Sequence, residues 1–137
     1  TICKRQEGYS RAWLHHKGRN KHHTQYWLDF GTKVVAPVIP YKYMAEMICD
    51  KMSASITYNG KKWTNDSQYE YWKKEKNRII VNPKVENFLE TVFIEVKNNG
   101  IDKTLTKKNI KNLYQKYCID DKTEYVYEFH GEWKKAE

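Results

Sequence analysis

Cysteine is scarce in this chain. Cys3, Cys49 and Cys118 are the only three among 137 residues; they lie far apart and form no Cys-x-x-Cys unit. That argues against a thiol zinc ribbon or a disulfide framework and reads as a reduced, cytoplasmic protein. No apolar run approaches the roughly 18 residues of a membrane span, and no signal-peptide core is present, so a membrane is not expected as a partner. There is no His-Glu-x-x-His, no phosphate-cradling glycine loop, and no Ser or Cys nucleophile with an evident base. Internal repeats and low-complexity segments are also absent. The chain opens on Thr1, not Met, which reads as a processed or truncated product.

What is present is aromatic and basic. Hydrophobic residues make up 39% and aromatic ones 15%, with eleven Tyr and five Trp, so the core is expected to be built from large amphipathic rings. Low hydropathy with so many rings describes a folded chain, not a disordered one. At this length a single domain over 1–137 is expected. Net charge is +8: residues 1–60 carry nine Lys or Arg against four Asp or Glu, and residues 61–137 carry sixteen against thirteen. A positive field favours an anionic partner such as a nucleotide or nucleic acid, and a generally basic soluble protein is the plainer reading of the same excess.

The densest feature runs from Ala12 to Trp27. Four of the five histidines lie here as two adjacent pairs, His15-His16 and His22-His23, among Lys17, Arg19, Lys21 and the tryptophans Trp13 and Trp27. Seven residues are about two helical turns, so one continuous helix would stack His15 with His22, and His16 with His23, with Asn20 between them. Ser10 can cap a helix through Arg19. Gly18 weakens that helix and Asn20 is a good N-cap, so two short helices meeting at Asn20 are an equal reading. The histidines would then converge across a corner.

Further along, residues 1–9 read as an arm, and 32–39, with Pro37, as an extended connection in which a central strand is not expected. Pro40 suits a helix start, and Tyr41, Met44, Ile48 and Met52 form one stripe of a helix over 41–56. Glu46, Asp50 and Ser53 form a second stripe. Two carboxylates at i and i+4, with Lys51 as the nearby cation, suit either a cation site or a solvated face. Asp66 can cap a short helix containing Tyr69, Tyr71 and Trp72. Asn82-Pro83 opens a helix whose Val85, Phe88, Leu89, Val92, Phe93 and Val96 mark a core face, and Gly100 closes it. Thr106 caps another, with Ile110, Leu113, Tyr114 and Tyr117 inside and Lys107, Lys108, Lys111 and Lys116 on a solvated outer face. Alternation at Tyr125, Tyr127 and Phe129 suggests a strand or extended arm over 123–130, and His130 reads as structural or exposed.

Imidazole nitrogen and carboxylate oxygen are ligands for Mn, Fe, Zn or Ni, so His16, His23 and Asp50, then His15, His22 and Glu46, are candidate metal ligands. A metal-bound water would be suited to attack a phosphoryl group, with Arg19, Lys17, Lys21 and Asn20 on the other phosphate oxygens and Asp50 and Glu46 as catalytic carboxylates. The same histidine and aromatic surface could instead face nucleic acid or a protein partner without any metal, or some histidines could be bonded within a polar core.

The order Ala12-Trp13-Leu14-His15-His16, Arg19-Asn20-Lys21-His22-His23, Gln25-Tyr26-Trp27, Pro40-x-x-Tyr43 and Glu46-Met47-Ile48-x-Asp50 resembles an uncharacterised group of bacterial and phage proteins often labelled catalase. These residues offer no haem chemistry, and no haem is expected. The group is similar to divergent HD-domain metal phosphohydrolases, in which histidines and aspartates on neighbouring helices bind one or two metals. The resemblance spans about residues 10–95. It implies a mainly α, HD-domain-like helical bundle of about five helices, with a core over 10–98 and a C-terminal helix and tail over 101–137. It also implies that His15 or His16, His22 or His23, and Asp50 are ligands, in a bacterial or phage-infected host cell. The group's upstream His-Asp-x-Ser-Lys segment is missing here, Lys51 stands where the group tends to have Trp, and residues 100–137 look like an addition. Two functions follow as expectations. One is a domain that binds metal and a phosphorylated ligand and hydrolyses a nucleotide or related ester. The other is a non-enzymatic basic binding protein, such as a phage-type inhibitor or a nucleic-acid-binding module, with oligomers compatible with either.

Overall fold

The computed structural model describes residues 29–30, 34–128 and 132–135. The expected arm, the Ser10-capped helix, the break near Asn20 and His130 lie outside these residues. Within them the chain is mainly helical. Five α-helices run over Tyr41–Asn59 (α1), Ser67–Glu75 (α2), Pro83–Asn99 (α3), Ile101–Thr104 (α4) and Lys107–Tyr114 (α5). The last continues into a π turn over Gln115–Ile119.

Local sequence determines α3 most completely. The Asn82 side chain accepts the Lys84 N–H at 3.0 Å, and Pro83 stands in the first turn, where a missing N–H costs nothing. Gly100, at φ 86°, ends the helix and donates its N–H to the Val96 carbonyl at 2.9 Å. Between these caps, Val85, Phe88, Leu89, Val92, Phe93 and Val96 are all withdrawn from water. Each large side chain so buried contributes roughly 1.5–3 kcal/mol of transfer free energy, which makes this stripe the chief hydrophobic contribution to the fold.

The other helices are placed against it. Trp72 of α2 meets Phe93 edge-on at 5.6 Å between ring centroids, and Tyr114 of α5 meets Phe88 at 5.7 Å. Ile110 and Cys118 are buried in the same cluster. Helix α1 adds Met44, Met47, Ile48 and Met52, and its Tyr41 packs edge-on against Tyr114 at 5.6 Å. The Tyr114 hydroxyl donates to the Ile39 carbonyl at 2.7 Å, which ties α5 to the segment leading into α1. Two ion pairs cross the helix joints, Lys51 to Glu75 at 2.7 Å and Lys76 to Glu90 at 2.8 Å. Beside the second, half-buried Glu86 titrates above the usual carboxylate range because burial outweighs the attraction of Lys76.

Both expected extended segments form strands, and they meet. Strands β1 (Asp29–Phe30), β2 (Val34–Val35), β3 (Tyr125–Glu128) and β4 (Glu132–Lys135) make one antiparallel sheet in that order. Val34 stands opposite Tyr127, so β2 has a partner on each side. That differs from the expectation drawn from Pro37. The strand stops at Val35, before the residue that cannot donate, so the proline interrupts nothing.

Other departures have local causes. Asp66 precedes α2 but makes no side-chain capping bond. Its backbone is already helical (φ −81°, ψ −19°), and that turns the carboxylate away from the N–H groups that a cap must reach. Instead Ser67 Oγ accepts the Thr64 N–H at 2.8 Å. Helix α1 runs on past residue 56 to Asn59, and Gly60, at φ 54°, closes it by donating to Ile56. After Tyr114 the chain widens, and the Asp120 N–H bonds to the Gln115 carbonyl at 2.8 Å, the five-residue spacing of a π turn.

Replacing Phe93 by Ala is expected to cost about 3–5 kcal/mol, read from urea unfolding, since the cavity opens beneath Trp72. A loss under about 1 kcal/mol would contradict this packing. A second expectation concerns pH. Burial pushes the Cys118 thiol from its ordinary 9.0 and the Tyr114 phenol from 10.0 up to about 12 each. Both groups therefore ionise sooner in the unfolded chain, so their contribution is full below the unfolded values and is lost as pH rises from 9.0 towards about 12. The melting temperature should fall over that window, and the Cys118→Ala chain should fall less steeply.

Candidate functional site

Helix α1 is two-faced because its apolar residues recur on one side. With Met44, Met47, Ile48, Met52 and Ser55 turned into the core, Glu46, Cys49, Asp50 and Ser53 are left exposed on the opposite side. Together with Ala45 they line an open depression of about 550 Å³. The second stripe expected from sequence is therefore a real surface feature. At i and i+4, Glu46 and Asp50 have Cβ atoms about 5–6 Å apart, close enough for both carboxylates to address one cation. Each of the two has an interaction partner.

Lys51 does not play the part expected of it. Its Nζ lies 2.7 Å from Glu75 Oε1 on α2, so it serves the α1–α2 joint. Cys49 is the residue sequence reasoning missed. It sits three residues after Glu46 and next to Asp50, and a helical-wheel reading of 46, 49, 50 and 53 places it on the same face. The thiol adds a soft donor to two hard carboxylates and a hydroxyl.

The candidate ligands His15, His16, His22 and His23, and the candidate phosphate-binding residues Lys17, Arg19, Asn20 and Lys21, lie outside the described residues. Among the described residues no three His, Cys, Asp or Glu side chains assemble into a group able to hold a metal. What α1 offers is a pair of oxygen ligands, and a Zn, Fe or Ni site calls for nitrogen or sulfur donors beside them. No helix among the described residues is long and apolar enough to cross a membrane.

The architecture is thus a mainly α protein with an acidic, thiol-bearing depression on α1. By sequence the chain belongs to DUF5662, a family of unknown function, whose model matches residues 2–95. That span takes in the histidine block, α1, α2 and most of α3. No curated protein and no solved structure matches the chain.

The two described cysteines should differ sharply towards a thiol reagent. Cys49 is exposed, and Cys118 is buried with its thiol pushed up to about 12 by desolvation. In a Cys3→Ser background, one thiol is expected to react within minutes at pH 8 and the second only on unfolding. Fast reaction of both would contradict the burial of Cys118.

Proposed function

We propose that this chain is an HD-like domain that binds a divalent metal and a phosphorylated ligand, with hydrolysis of a nucleotide or related phosphoester as its activity. The observation that carries the reading is the paired carboxylates of Glu46 and Asp50 on one open face of α1, within the span shared with the family. Asp50 and Glu46 would hold the metal together with His16 and His23, and His15 and His22 are the next nitrogen donors. A bound Mn, Fe, Zn or Ni ion would polarise the phosphoryl oxygen and lower the pKa of a coordinated water. Lys17, Asn20, Lys21 and Arg19 would hold the remaining phosphate oxygens, Arg19 through two parallel hydrogen bonds.

A second reading is a non-enzymatic basic binding protein of the phage-inhibitor or nucleic-acid-binding kind, using the same histidine and aromatic surface. It is supported by the chain's net charge of +8, which attracts anionic partners without any metal.

Metal analysis of tag-free protein separates the two. The first reading expects about one equivalent of Mn, Fe, Zn or Ni, and at least about a tenfold loss of metal affinity on Asp50→Ala or His23→Ala. Less than about a tenth of an equivalent, with ligand binding unchanged in both variants, would leave the binding protein as the reading.

A further inference from the structure

The outer surface of α5 and of the π turn that continues it carries a charge pattern that the metal reading does not use. With Ile110, Tyr114 and Cys118 turned into the core, the residues left exposed are Lys107, Lys108, Lys111, Asn112, Gln115 and Lys116. Four ammonium groups and two amides share one face of about 14 Å, with no carboxylate among them. Between Val96 and Ile119 the chain has six lysines and a single acid, Asp102. None of the four lysines pairs with a described carboxylate, whereas Lys51, Lys73 and Lys76 each do. Two acids touch this segment: Glu95 accepts from Asn109 at 3.3 Å, and exposed Asp120 accepts at 2.8 Å from Gln115, one of the two amides of the face.

The tyrosines around this face hold the charges in place. Lys111 Nζ stands 5.7 Å from the centre of the Tyr41 ring, and Lys116 Nζ stands 5.2 Å from that of Tyr117. A cation on a ring keeps its full charge while its long side chain loses freedom before binding, so less is lost when an anion arrives.

We propose that this face of α5 binds the phosphodiester backbone of duplex DNA, independently of sequence. Spread ammonium groups without an apolar anchor fit a repeating phosphate chain and lack the buried aromatic centre of a protein interface. With lysines over Tyr41 and Tyr117, those rings are occupied, and stacking platforms are what single-strand binding needs. The surface lies beyond the residues matched by the family model and does not depend on a metal.

The test is fluorescence anisotropy of the full chain with a labelled 20-base-pair duplex of arbitrary sequence, between about 50 and 200 mM salt. Four phosphate contacts predict a slope of log K against log salt of about −3.6, and micromolar binding at the low-salt end. The Lys107→Gln, Lys108→Gln, Lys111→Gln, Lys116→Gln chain should bind at least tenfold more weakly with a markedly flatter slope. Its circular dichroism and melting should be unchanged, since all four side chains are exposed. Duplex binding should be unchanged in excess EDTA, which removes any bound divalent metal, so failure of the metal reading and failure of this one are told apart. No binding at low salt, equal binding by the quadruple variant, tighter binding of a 20-nucleotide single strand, or preferential binding of polyglutamate would each overturn the proposal.

Discussion

Six side chains of α3, from Val85 to Val96, make no contact with water, and the rest of the molecule is arranged to keep them so. Helix α2 lays Trp72 over Phe93, and α5 lays Tyr114 over Phe88. Helix α1 closes against both by its own apolar side. This last step has a functional result. Because α1 must commit one side to the core, its other side is free to carry Glu46, Cys49, Asp50 and Ser53. The candidate site is thus the outward complement of a hydrophobic requirement.

Much of this was legible wherever a local rule and the tertiary environment agree. Asn82, Pro83 and Gly100 bound α3 by capping chemistry alone, and Thr106 caps α5 by accepting the Asn109 N–H at 3.2 Å. The apolar periods of α1 and α3 foretold their buried sides. Legibility fails where the deciding contact is remote in sequence. Whether Val34 lies in a central strand depends on Tyr127, some ninety residues away, and no pattern near Pro37 encodes that pairing. The π turn carries Cys118, whose thiol meets the Lys84 carbonyl at 3.7 Å, a contact some thirty residues away that no local pattern near Gln115 encodes. Asp66 shows a third cause, since the residue type suits a cap but its backbone conformation does not.

The carboxylate half of the candidate site was readable for the same reason as the core, because a stripe at 46, 50 and 53 is fixed by helix period once the opposite stripe is known. Lys51 was misjudged because its partner, Glu75, belongs to another helix. Cys49 went unnoticed because a single thiol carries no spacing of its own and gains meaning only from the residues around it. For the histidine block the seven-residue spacing leaves a straight helix and a bent pair equally open, so sequence alone leaves its geometry relative to α1 undetermined.

The bond from the Tyr114 hydroxyl to Ile39 joins residues on opposite sides of the family boundary at residue 95. Phe88, inside the matched span, is covered by Tyr114 outside it, and Ile110 and Cys118 fill the same cluster. Shared ancestry and shared core therefore divide this chain at different places. The segment that lies beyond the family's pattern is built into the packing as deeply as the segment within it. A change at Tyr114 is thus felt at Ile39 and Tyr41, where α1 begins.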